Sequence, residues 1–328
     1  MPRPPRFSLA LEDHYDPRPL CLFPQGPEGL PKGSLFVQPL FGPHKRLSAA
    51  GFETTTFDTL PISDTTIVFA TRARAQTLGA VATGLKALAP GGRLVLDGAK
   101  TDGMDGLVKT LKTAFTLDGT ASRDHGKVVW VMRPKALPAA VDDWARAAAP
   151  HQGSDGLWRQ AGVFSADGLD PGTALLSEHL PPVVPKRVAD FGAGWGALSR
   201  ALSTAYPDAR LDVIEADALA LDLARKNLAG SAKAHVHWAD VTQLPAGLDG
   251  YDLIASNPPF HASRKAEPAL GARFIEAAQR ALSPKGTFVM VANRQLAYEA
   301  TLDRCFGHWE TVIQTPVYKV IQATRPAR

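Results

Sequence analysis

Between Val188 and Ala205 the chain runs through a short apolar stretch, three glycines at alternate positions and then a helical stripe. Val188 to Phe191 supply the stretch and Gly192, Gly194 and Gly196 the turn, while Ala197, Leu198, Ala201, Leu202 and Ala205 recur at the helix period. A strand that ends in glycines and feeds a helix belongs to an α/β sheet. Without side chains in the way, a ligand can reach backbone N–H groups at the helix N-terminus. Gly192, Gly194 and Ala197 also satisfy G-x-G-x-x-A, so a dinucleotide remains one possible ligand.

The acids around this turn narrow the choice. Asp190 stands two residues before Gly192, where a carboxylate can anchor the turn or accept a hydrogen bond from an ammonium group. A second strand, Leu211 to Glu215, ends in a carboxylate that can take both hydroxyls of a ribose as donors. A third, His235 to Trp238, leads to Asp240, where a side chain could meet an adenine amine. Acids at the carboxyl ends of three successive strands describe a site for an adenosine-containing cofactor, because that edge is where open α/β sheets bind ligands.

The strand Tyr251 to Ser256 runs into Asn257-Pro258-Pro259-Phe260 on the same edge. Proline fixes φ, lacks an N–H and pushes its predecessor toward extended backbone. The loop is therefore stiff and presents carbonyl oxygens. Asn257 adds a side-chain carbonyl and Phe260 a flat face, so convergent acceptors beside an aromatic plate suit a planar –NH₂ group. His261 is a candidate proton acceptor, and Arg264, Lys265 and Arg273 could meet phosphates.

The first half has the same pieces in the same order. The strand Thr65 to Ala70 precedes a helix carrying Leu78, Val81, Leu85 and Leu88. In the second half, Leu270, Phe274, Ala277 and Ala281 mark the corresponding helix. Leu88-Ala-Pro-Gly-Gly-Arg-Leu-Val-Leu96 then aligns with Leu282-Ser-Pro-Lys-Gly-Thr-Phe-Val-Met290. Lys127-Val-Val and Arg133-Pro134 align with Lys319-Val-Ile and Arg325-Pro326. This predicts an internal duplication with a boundary between Pro134 and Gln160. Nothing upstream of Asp64 resembles the glycine turn, and the first half reads Thr71-Arg72-Ala73 where the second has Asn-Pro-Pro. The first copy is expected to have no active site.

A chain of 328 residues is comfortable for two domains, and 45% hydrophobic with 21% charged content is that of a globular protein. The net charge of +4 permits a nucleic-acid partner without requiring one. The two cysteines, Cys21 and Cys305, form no C-x-x-C pair, so neither a zinc site nor a disulfide framework is expected. Met1-Pro-Arg-Pro-Pro-Arg6 has no apolar core behind it, and no stretch approaches a membrane span. A soluble, cytoplasmic protein is the expectation, and a monomer.

Taken together, Asp190-x-Gly-x-Gly-x-Gly, Glu215, Asp240 and Asn257-Pro-Pro-Phe260 resemble the class I S-adenosylmethionine-dependent amino-methyltransferases. The chain as a whole is similar to the ribosomal RNA small subunit (guanine-N2)-methyltransferase C family and its large-subunit relatives. The similarity includes Gly162-Val-Phe-Ser165, Leu169-Asp-Pro-Gly-Thr-Ala-Leu-Leu176 and Val291-Ala-Asn293. It implies an α/β fold of two tandem Rossmann-like domains, each a mostly parallel seven-stranded sheet with helices on both faces. Residues 1–150 would form a degenerate copy that scaffolds or grips RNA without cofactor, and residues 151–328 the catalytic one. It implies S-adenosylmethionine as cofactor, with Phe164 and Thr173 closing over its methionine part. Asn257, Pro258, Pro259 and Phe260 would act on the N2 amine of a guanine in ribosomal RNA or an assembling subunit, the small subunit preferred.

One departure is that Ala262-Ser263-Arg264-Lys265 follows His261 where the family has an acid and a glycine, which leaves the target nucleotide more open than the reaction. Adenine N6, cytosine N4 or a protein glutamine amide would present the same planar amine. A nicotinamide oxidoreductase would explain the glycines and Glu215 but not Asn-Pro-Pro-Phe. A non-enzymatic pair of RNA-gripping domains would explain only the first half.

Overall fold

The computed structural model describes residues 5–57, 59–259 and 268–327. The chain divides into two compact units, residues 1–151 with 160–162 and residues 152–159 with 163–328. Among the described residues, no helix is long and apolar enough to cross a membrane.

The first unit holds β1 (Leu20–Leu22), β2 (Leu35–Val37), α1 (Phe41–Ala49), β3 (Glu53–Thr55), β4 (Ser63–Phe69) and α2 (Arg74–Ala87). It continues with β5 (Leu88–Ala99), α3 (Met104–Ala114), β6 (Gly119–Arg123), β7 (Gly126–Met132) and α4 (Ala139–Ala148). A short two-stranded sheet, β8 (His151–Gln152) with β9 (Trp158–Arg159), begins at the boundary, and the second unit continues with α5 (Pro171–Glu178), β10 (Arg187–Phe191), α6 (Ala197–Ala205), β11 (Arg210–Glu215) and α7 (Ala218–Asn227). Then follow β12 (Ala234–Trp238), β13 (Tyr251–Ser256), α8 (Pro268–Ala281), β14 (Leu282–Asn293), α9 (Glu299–Cys305), β15 (Phe306–Gln314) and β16 (Tyr318–Pro326).

Both units build a seven-stranded sheet in the same spatial order, β3-β2-β1-β4-β5-β7-β6 and β12-β11-β10-β13-β14-β16-β15. In each, the two pairings made by the last strand, β7 or β16, are antiparallel and the other four are parallel. The duplication holds at the level of register. Ser63 pairs Leu88 as Tyr251 pairs Leu282, and Gly98 pairs Lys127 as Ala292 pairs Lys319. One residue moves: Leu88 begins β5 rather than ending α2, because the helix passes directly into the strand.

Strand β10 shows why the second sheet needs helices on both sides. Ala189 and Phe191 face one apolar cluster, with Tyr251, Ile275 and Phe288. Val188 faces the other, with Leu198, Leu202 and Val213. A parallel strand buried on both faces reads as a continuous apolar run, and Val188 to Phe191 does so except at Asp190. That exception carries the site.

Candidate active site

The carboxyl ends of β10, β11 and β13 converge on one edge, and the crossover from β10 to β11 opposite β13 opens a crevice there. Gly192, Gly194 and Gly196 all have positive φ, at 75, 55 and 87°. At Gly194 a Cβ would meet nothing within 4 Å, so the space over the turn is open, whereas at Gly196 it would press to 3.2 Å against Ala224. Gly194 thus leaves room for a ligand, and Gly196, the residue before α6, lets the two helices approach. Gly196 does not line the crevice; Gly192 and Gly194 do.

Glu215 closes this turn from the neighbouring strand. Its Oε2 accepts from Gly194 N at 2.8 Å, and its Oε1 from Ala216 N and Asp217 N at 2.8 and 2.9 Å. Asp190 is fully buried beneath the glycines. Its Oδ2 accepts from Ser199 Oγ at 2.5 Å, while Oδ1 is buried with no hydrogen-bond partner. Burial pushes the Asp190 carboxyl up to about 7, the Glu215 charge adding to the effect and the Ser199 hydroxyl opposing it. Burial also raises Glu215, against the three backbone N–H groups that favour its charged form.

A cavity of about 330 Å³ spreads from the turn, lined by Gly192, Gly194, Glu215, Asp240, Asn257 and Pro259 among others. Phe164, Val163, Leu270 and Phe274 give it an apolar wall. Phe164 is 59% exposed, so its ring is accessible from solvent as well as lining the cavity. Asp240 caps the short helical turn after β12, its Oδ1 accepting from Thr242 N at 2.8 Å and Thr242 Oγ1 at 2.7 Å. Asp190 and Thr173 line a smaller recess that shares Phe164, Gly192, Gly194 and Asn257 with the cavity.

Asn257 follows β13, whose end is fixed by Ser256 Oγ donating to Phe191 O at 2.7 Å. Asn257 Nδ2 donates to Asp170 Oδ2 at 2.9 Å and to Thr173 Oγ1 at 2.7 Å. Pro258 is buried and Pro259 exposed on the cavity wall. Phe260, His261, Arg264 and Lys265 lie outside the described residues. Arg273 is exposed on α8 and does not line the cavity.

Two site residues escape the sequence reading. Asp217 lines the cavity and caps α7 through Leu219 N at 2.9 Å. Burial, and then the Glu215 charge, push it up to about 7. Asp170 caps α5, with Pro171 in the first turn. Both carry the helix-start signal of an acid before a periodic run, but that signal says nothing of a second duty.

The model of the methyltransferase small domain matches residues 156–322. The Shewanella loihica ribosomal RNA small subunit methyltransferase C is 33% identical over 71% of this chain and 69% of its own. The chain belongs to the small subunit methyltransferase C family of class I methyltransferases. A large subunit methyltransferase G from Shewanella amazonensis is 34% identical over 50% of this chain and 44% of its own. The tandem fold is shared along nearly its full length with a solved structure. The T. thermophilus 16S rRNA N2 methyltransferase RsmC, solved with AdoMet and guanosine, covers 99% of this chain and 92% of its own with a TM-score of 0.78 at 24% identity.

Proposed function

We propose that the protein transfers a methyl group from S-adenosylmethionine to the exocyclic N2 of a guanine in small-subunit ribosomal RNA. One observation carries the reading: the carboxylate-lined glycine turn and the Asn257 amide open onto the same cavity. The names of the small subunit methyltransferase C relatives, and the AdoMet and guanosine held by the T. thermophilus enzyme, support it.

The residues fit the cofactor. The orphaned Asp190 Oδ1 lacks the donor that an ammonium group brings. Carboxyls pushed up by burial, those of Asp190 and Asp217 also by the Glu215 charge, are relieved when a cation enters. A carboxylate offers about four lone-pair sites, and the three backbone N–H groups on Glu215 leave capacity for a ribose hydroxyl. Asp240 would meet the adenine, and Phe164 and Thr173 the methionine part. S-adenosylmethionine, when bound, supplies an electrophilic methyl group on a sulfonium centre.

The guanine amine is a weak nucleophile because its lone pair is delocalised into the ring. Asn257 Oδ1 and the Pro258 carbonyl accept its two hydrogens and turn the lone pair toward the donor. The nitrogen gains positive character as its bond to carbon forms, so these acceptors bind the transition state more tightly than the ground state. Positioning two reactants can supply about 7–11 kcal/mol of the barrier. The surplus proton passes from nitrogen to solvent. A paired base cannot reach such a cavity, so the target is unpaired or flipped out.

Under the same reading, residues 1–150 scaffold the enzyme or grip RNA without binding cofactor, in a cytoplasmic monomer. Tritiated-methyl transfer to purified small and large subunits, followed by nucleoside digestion, tests the proposal. N2-methylguanosine in small-subunit RNA is expected. N6-methyladenosine, or label in protein, would overturn it. Competition between S-adenosylhomocysteine and NADH separates the cofactor from a dinucleotide.

A further inference from the structure

We infer that Asp170 is a positioning residue that fixes which face of the Asn257 amide the substrate meets. The inference rests on the assignment of Asn257 as acceptor for the substrate amine.

An asparagine amide has a donating and an accepting end of almost the same shape, and a half-turn about its last bond exchanges them. Only the oxygen can accept from an –NH₂ group. A flipped Asn257 would point two hydrogens at two hydrogens and block the reaction. Something has to hold the amide before the substrate arrives.

Asp170 does this through charge type. A carboxylate accepts and cannot donate, so the Asn257 atom 2.9 Å from Asp170 Oδ2 has to be the nitrogen. The second amide hydrogen goes to Thr173 Oγ1 at 2.7 Å. That hydroxyl has one hydrogen, directed at Asp170 Oδ2 at 3.4 Å, which leaves its lone pairs for Asn257. Both amide hydrogens are therefore held on the α5 side, and Oδ1 is turned toward the cavity that Asn257 lines.

The holder is itself fixed. Asp170 is the residue before α5, and the same Oδ2 accepts from Thr173 N at 2.8 Å. Gly172 keeps the approach tight, since a Cβ there would come to 2.9 Å from Asp170 Oδ2 and 3.1 Å from Tyr318. A helix cap thus doubles as the device that aims the catalytic amide.

Two substitutions separate aiming from capping. Asp170→Ser keeps a cap of equal rank, but its hydroxyl sits on a shorter arm and can donate, so it tolerates either amide face. Asp170→Asn keeps the cap, and the Thr173 N–H holds its amide oxygen in the place of Oδ2, so Asn257 still meets an acceptor there. With wild-type enzyme as reference, kcat for methyl transfer to small subunits, Kd for S-adenosylhomocysteine and Tm are measured for each. Asp170→Ser is expected to lower kcat by about tenfold to a hundredfold, the scale of losing one transition-state hydrogen bond. Its Kd should stay within about twofold and its Tm near wild type. Asp170→Asn should stay within about threefold of wild-type kcat.

Wild-type kcat in Asp170→Ser would overturn the inference. So would a loss matched in Kd or Tm, which would mark Asp170 as structural only. Asn257→Ala in the same assay keeps the two claims apart. If that variant is active, the reading of Asn257 itself fails; if it is inactive while Asp170→Ser is normal, only the aiming role fails.

Discussion

The two halves share a strand order and a register, yet among the described residues only the second carries the carboxylate-lined glycine turn, and the difference can be read position by position. Leu22 pairs Val37 and Val68 in the first sheet as Phe191 pairs Ile214 and Ser256 in the second. By this register Cys21 stands where Asp190 does, Phe23 where Gly192 does, Gln38 where Glu215 does and Phe69 where Asn257 does. The correspondence corrects the sequence alignment by two residues: Phe69-Ala70-Thr71, not Thr71-Arg72-Ala73, faces the place of Asn257-Pro258-Pro259. Even the turn survives, for Phe23 N donates to Val37 O at 2.9 Å as Gly192 N does to Ile214 O. Phe23 keeps φ at 60°, a strained value for a bulky side chain.

What has gone is the room and the charge. Residues 23–34 form turns where the second half places α6, so no helix starts directly after β1. The Phe23 ring is buried against Phe57 at 5.2 Å, and Phe69 meets Phe7 edge-on at 5.7 Å. Gln38 is fully buried and self-sufficient, donating to Pro24 O at 2.6 Å and accepting from Leu40 N at 3.0 Å. At this edge the first half has aromatic packing and a neutral amide where the second has glycines and a carboxylate.

The largest effect should come from Asn257→Ala. Methyl transfer is expected to fall by about 10³-fold or more, while S-adenosylhomocysteine binding changes by less than about twofold. Phe69→Ala, at the matching place in the first half, should leave kcat per folded molecule unchanged and lower Tm through lost packing. Activity in the first variant, or lost catalysis in the second, would break the assignment of chemistry to one half.

Next come the exchanges at the ends of β2 and β11. Glu215→Gln replaces two acceptor oxygens by one, so at least one of three backbone N–H groups meets an –NH₂. An unpaired buried donor costs about 1–3 kcal/mol, and cofactor binding should weaken with it. Gln38→Glu turns a carboxylate on the Pro24 carbonyl and should cost a similar amount in denaturant melts, with binding untouched.

Asp190→Asn tests the charge at the position where the first half has Cys21. The folded carboxyl titrates near 7 against an ordinary 3.8. Between those values the folded state holds a proton that the unfolded state has released, so this group's contribution falls as pH rises through the window and is flat above it. The ligand-free variant should therefore melt above wild type at pH 8, the gap closing toward pH 5. Its affinity for S-adenosylhomocysteine should drop about tenfold to a hundredfold, as expected on losing a charged hydrogen bond. A variant that binds normally would remove Asp190 from the cofactor site.

How much of this was legible beforehand differs between the halves. Gly192, Gly194, Glu215, Asp240 and Asn257 could be found because each leaves a residue type that its position alone does not explain. The first half's Gln38 and Phe23 look like any buried polar or apolar residue, and only register shows what they replaced. Strand β1 went unread because Leu20 to Leu22 is too short to show a period. Asp170 and Asp217 look like ordinary helix caps, and their second partners come from distant segments or from the cavity itself.

The smallest effect concerns a feature that both halves kept. Lys127 pairs Asp105, and at the equivalent register Lys319 pairs Glu299 at 2.8 Å. The lysines differ in burial, with 37% of the first side chain exposed and 7% of the second. An exposed pair gains little in water, so Asp105→Asn should leave Tm unchanged. Glu299→Gln strands a buried ammonium, though Glu299 itself is half exposed and water can partly replace it, so about 1 kcal/mol is expected. The Lys319 hydrogen bond holds the Glu299 carboxyl below its ordinary value, so the pair stabilises above that value and loses its contribution as pH falls through the folded one. The gap between wild type and Glu299→Gln should thus narrow in acid. Equal losses from both substitutions would mean that burial does not set the strength of this pair, and that the halves diverged at their carboxyl edges alone.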